Sequence, residues 1–77
     1  MEKLRDALQV LSAISQQKCS PTAFQTVDQT LRWMPTMAIH GPELALEQLE
    51  GLKPLFESYG VWQDVEEAYA RCLAALK

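Results

Sequence analysis

Apolar residues recur at intervals of three and four along the whole chain, and that interval admits one kind of fold. Leu4, Ala7, Leu8, Leu11 and Ile14 make the first stripe, and Ala23, Phe24, Val27, Leu31 and Met34 the second. Ala45, Leu49, Leu52, Phe56 and Tyr59 make the third, and Val61, Val65, Tyr69, Cys72 and Leu76 the fourth. Side chains three and four residues apart share one side of an α-helix, so each stripe reads as the inner face of an amphipathic helix. No run alternates apolar and polar residues over a useful length, which argues against a sheet. The expectation is one all-α domain over residues 1–77, with four amphipathic helices packed as two antiparallel helical hairpins, because short connectors set successive helices side by side.

The boundaries come from local chemistry. The first helix covers residues 2–18. Ser20-Pro21 then supplies a side-chain acceptor and a proline at the first helical position, where its missing N–H is not needed, so a second helix starts there. Pro35 is predicted to end it, since the residue before a proline is pushed off helical angles. Pro42 repeats the start signal, and the glutamates that follow suit the positive end of the helix dipole. Pro54 falls inside the third helix, where a proline costs about 3 kcal/mol, and a kink or short break is predicted over residues 51–54 on the outer side. Gly60 closes that helix in the left-handed conformation, and the last helix covers residues 61–76.

A chain of 77 residues has a thin stability margin, since it buries only about 60% of its unfolded surface. Its charge is unevenly placed. Residues 1–40 carry Lys3, Arg5, Lys18 and Arg32 against Glu2, Asp6 and Asp28, a sum of +1; residues 43–67 carry seven carboxylates against Lys53 alone, a sum of −6. With no basic stripe to release counterions, direct nucleic-acid binding is disfavoured. No segment has the roughly 20 apolar residues a membrane span needs, and "MEKLRDAL" is charged where a signal peptide is greasy, so the sequence reads as cytoplasmic. The cysteines, Cys19 and Cys72, have neither metal-ligand spacing nor disulfide density. Cys72 reads as a small core hydrophobe, whereas Cys19 precedes a turn that leaves room for an exposed thiol.

The stretch "LEGLKPLFESYGVWQDVEEAYARCLAAL", residues 49–76, resembles a tetratricopeptide-type helical hairpin. Leu52, Phe56, Gly60, Trp62, Tyr69 and Leu73 fall where that repeat carries its large apolar residue, its aromatic, its turn glycine, the aromatic after the turn, and the second-helix aromatic and leucine. Val65 and Cys72 stand where the repeat prefers alanine. Ala23, Val27 and Leu31 echo Val65, Tyr69 and Leu73 at an offset of 42 residues, against about 34 in the family. The resemblance implies two stacked hairpins with a groove for a partner helix or extended peptide, and a role as an adaptor or chaperone such as those serving bacterial secretion-system subunits.

Catalytic groupings are not apparent. His40 is the only histidine, and no motif places a serine or cysteine beside it; capping of the third helix is its ordinary use. Glu66 and Glu67 are adjacent and cannot face one another as an acid/base pair. No phosphate loop, dinucleotide fingerprint or zinc spacing occurs. The sequence therefore reads as a non-enzyme with no cofactor, no metal and no evident small-molecule substrate. Glu43, Glu47 and Glu50 form the wet side of the third helix, or an acidic strip for a basic partner. In "LRWMPTMAIHGPE", Trp33 lies about half a turn from its own stripe. It either packs as a lid under the connector or belongs to an exposed apolar patch. The candidate partner-binding residues are Trp33, Met34 and Met37, with Tyr59 and Trp62. They suit a small interaction module that binds a protein partner or self-associates as a homo-oligomer. The alternative is a small regulator of transcription or nucleic-acid machinery acting through protein contacts. Direct nucleic-acid contact would need Lys3, Arg5, Lys18 and Arg32 to converge on one face.

Overall fold

The computed structural model describes residues 2–77, and four helices account for nearly all of them: α1, Glu2–Lys18; α2, Pro21–His40; α3, Pro42–Ser58; and α4, Trp62–Leu76. Each forms where its stripe can be buried. In α1 the buried positions are Leu4, Ala7, Leu8, Leu11 and Ser15, so a serine takes the core position beside a half-buried Ile14. The Ser15 hydroxyl is satisfied locally, donating to the Leu11 carbonyl at 2.7 Å. α2 starts as its sequence requires: Ser20 is extended, its Oγ accepts from the Ala23 N–H at 3.3 Å, and Pro21 opens the helix.

Two boundary expectations are corrected. Pro35 does not end α2, which runs on to His40. The proline removes one helical hydrogen bond, to the Leu31 carbonyl, but the following turn sets Met37 and Ala38 against the core. Pro54 does not break α3 either. It stands on the outer face, and the Glu50 carbonyl that loses its donor belongs to an exposed residue that water can reach. A third correction concerns His40, which makes no side-chain cap on α3; Gly41 occupies the capping position. That glycine ends α2 by donating to the Met37 carbonyl at 2.7 Å and starts α3 by accepting from the Ala45 N–H at 3.1 Å.

α3 ends as predicted. Gly60 has φ +74°, its N–H donates to the Glu57 carbonyl, and the Val61 N–H reaches back to the Phe56 carbonyl at 3.1 Å. This paired closure carries a hydrophobic contact between the flanking residues, and both Phe56 and Val61 are buried here.

The body measures 30 × 19 × 17 Å. A helix of 20 residues is about 30 Å long, so all four lie along the long axis. α1 packs against α2 and α4, and α3 against α2 and α4, which closes a ring around one core. Neighbours are antiparallel. Lys18, at the end of α1, lies 4.0 Å from Asp64 at the start of α4, while Lys3 and Ala75 line the same groove at the other end. The interior is filled by Leu8 and Leu11, Val27, Leu31 and Met34, Leu49, Leu52 and Phe56, and Val65, Tyr69 and Cys72, drawn from all four helices. Cys19 belongs to this core, so the exposed thiol for which the turn left room is not formed; its N–H still donates to the Ser15 carbonyl, continuing the last turn of α1.

Candidate functional site

Helices packed in a ring leave a shallow groove between each pair of neighbours, and here the four grooves differ in chemistry. The α1/α2 groove holds about 250 Å³ and includes Arg5, Asp28 and Arg32 beside Leu8, Leu31 and Pro35. The α1/α4 groove, about 420 Å³, includes Lys3, Asp6 and Arg71. The α3/α4 groove includes Glu50, Lys53 and Lys77. Only the α2/α3 groove, about 390 Å³, has no charged lining residue: it is formed by Gln29, Thr30, Trp33, Met37 and Gln48.

The cause lies in the register of α2. Successive helical residues turn by about 100°, so Asp28 and Arg32, the only formally charged residues between Pro21 and His40, fall on the α1 flank. There they pair with one another at 2.7 Å. The opposite flank is left to Thr26, Gln29, Thr30, Trp33 and Met37.

Trp33 is 65% exposed, so the lid reading fails and the residue stands on the surface. Met37 lines the groove with it and is half-buried. Met34 is corrected as a contact residue: one step from Trp33 it is turned fully inward, with 0% exposure, and fills the core. Tyr59 and Trp62 lie elsewhere. Tyr59 is half-buried at the end of α3. Trp62 sits on the α4 side of α3, edge-on to Tyr69 with ring centroids 5.1 Å apart, and the Lys53 ammonium stands 5.2 Å from its ring centroid. Those contacts engage the Trp62 ring within the chain.

Leu44, 50% exposed, stands on the α2 flank of α3 one turn before Gln48, next to the groove lining. Its signal was an apolar residue standing off the third stripe, the same kind of sign that Trp33 gave. Ile39, 67% exposed, falls on the α1 flank of α2 and is not part of the groove.

The titratable groups inside the core are held in their neutral forms. Burial pushes the Cys72 thiol up to about 11 and raises that of Cys19. Burial, then the Glu50 carboxylate and the Cys72 thiol, raises the Tyr69 hydroxyl. Thiols shifted in this direction carry little thiolate at neutral pH and are poor nucleophiles. Among the described residues no three His, Cys, Asp or Glu side chains gather in a metal-binding arrangement. The early cations do not converge: Lys3 lines the α1/α4 groove, Arg5 and Arg32 the α1/α2 groove, and Lys18 lies at the far end of α1 beside Asp64. No described helix is long and apolar enough to cross a membrane.

The chain matches no family model, no curated protein and no solved structure. The α2/α3 groove is thus defined by its own physical features: an outward tryptophan, a flexible methionine and an uncharged lining.

Proposed function

We propose that this chain is a non-catalytic protein-interaction module that receives a helical surface of its partner over the α2/α3 groove. The observation that carries this reading is Trp33, two-thirds exposed on α2 beside Met37 and free of any charged neighbour in the groove lining. Tryptophan is the side chain most enriched at interface hot spots, and methionine adapts to varied apolar surfaces. The hairpin resemblance of residues 49–76 points the same way, toward adaptor or chaperone-like binding. Elevated thiols and dispersed cations add support, since they favour neither nucleophilic chemistry nor phosphate binding.

Photo-crosslinking in the native host tests the reading. A photoreactive residue in place of Gln29 or Gln48 is expected to capture protein, and the same residue at Glu67, on the outer side of α4, is not. Equal capture from all three positions, or capture that survives Trp33→Ala unchanged, refutes it.

A further inference from the structure

We infer that the surface received by the α2/α3 groove is the α2/α3 groove of a second copy of this chain, in a two-fold symmetric dimer; this rests on the interaction-module reading and names its partner. The first ground is charge. In a two-fold contact each patch meets itself, so any net charge on it is brought against an equal charge. The chain carries −3 overall, and exposed Glu43, Glu47, Glu50, Glu57, Glu66 and Glu67 crowd α3 and α4. Among the four grooves, the uncharged one alone meets its copy without placing like charges in the lining.

The second ground is shape. Gly51 is exposed near the middle of α3, one turn beyond Gln48 on the α2 flank, and a methyl group built on it meets nothing within 4 Å. It is a dent in the same face on which Trp33 is the knob. Trp33 stands roughly 4 Å along the axis from the midpoint of α2. It lies level with Gln48, and Gly51 is about 4.5 Å farther along α3. A two-fold axis running along the groove lays each α2 antiparallel over α3 of the other copy. That axis keeps heights, so Trp33 stands level with the partner's Gln48, and its side chain, tilted toward the N-terminus of α2 as helical side chains are, leans toward the partner's Gly51; the exchange is made twice. Glu47, the acid nearest the groove, opposes the flank of α2 that carries no charge.

Area is sufficient. One of four sides of a body with 5055 Å² of surface offers roughly 1,000 Å², against the about 800 Å² per partner of a standard stable interface.

Sedimentation equilibrium and light scattering over concentrations on the order of 1 to several hundred micromolar test the inference. The wild-type chain is expected to dimerise, and Trp33→Ala to weaken dimerisation at least about 30-fold. Gly51→Leu fills the dent; it is expected to weaken the dimer while raising the stability of the monomer, because leucine is the better helix former at an exposed site. Gln48→Glu and Gln48→Lys are each expected to dissociate the dimer, and their mixture to associate more tightly than either alone. A chain monomeric throughout the range, or a dimer whose affinity ignores both Trp33→Ala and Gly51→Leu, overturns the inference. A monomer whose Gln48 position crosslinks to a different protein overturns only the identity of the partner and leaves the module reading in place.

Discussion

Phe56→Ala is the substitution on which the packing account is most exposed. Phe56 is the largest fully buried side chain, has 0% exposure, and supplies the carbonyl that closes the end of α3. Removing a ring that buries on the order of 150 Å² forfeits about 4 kcal/mol of transfer free energy at about 25 cal/mol per Å². Measured truncations of buried phenylalanine fall in the same range, about 3–5 kcal/mol. A chain of 77 residues is stabilised by about 4–12 kcal/mol in total, so the variant loses between about a third and all of its margin. Its thermal midpoint is expected to fall by roughly 15–30 °C. The assay is urea and thermal unfolding followed by far-ultraviolet circular dichroism, run in a Trp33→Ala background so that dimerisation does not enter the midpoint. Trp33→Ala itself removes a ring of similar bulk from an exposed site and is expected to change monomer stability by less than about 1 kcal/mol. A loss under about 1 kcal/mol for Phe56→Ala, or equal losses for the two aromatics, refutes the placement of α3 against the other helices.

Three further outcomes follow from local geometry. Pro54→Ala restores a hydrogen bond to the Glu50 carbonyl at an exposed position and is expected to stabilise the fold by about 2 kcal/mol, after allowing for the freer unfolded chain; an unchanged urea midpoint counts against a continuous α3. Gly60→Ala meets no steric obstacle but forces φ +74° on an alanine, and a loss of about 1–2 kcal/mol is expected in the same titration. Cys72 has a folded-state pKa of about 11 against an ordinary value of 9.0, so the fold favours its protonated form. Its contribution is fully present below pH 9 and is lost as pH rises toward 11, by roughly 2–3 kcal/mol. Alkaline denaturation of the wild type compared with Cys72→Ala isolates that loss, and parallel curves refute it.

The periodic stripes carried the helix count, the inner faces and most of the core, because burial selects one side of a helix and leaves its interval in the sequence. Both internal prolines stand within continuous helices for the same physical reason. A local rule counts the lost hydrogen bond at about 3 kcal/mol but does not see what the next turn buries, and past Pro35 that turn holds Met37 and Ala38. At Pro54 the outward placement is visible in the stripe, and the helix runs through it without the break a local rule implies. Trp33 was legible from its angular offset alone. Met34 was grouped with it because the two are adjacent, yet adjacency on a helix means divergence by about 100°. Trp62 was not legible as an engaged side chain, since Lys53 reaches it across the α3/α4 boundary. The neutrality of the α2/α3 flank was written in α2 all along, where Asp28 and Arg32 stand four residues apart and share the other side.

The single residue Gly41 joins α2 to α3 with no slack. A loop of several residues would let the two walls of the groove drift apart and would have to be frozen whenever something docked between them. Here the spacing of the walls is fixed by side-chain packing before any encounter, so association sacrifices little backbone freedom and proceeds as the meeting of two finished surfaces.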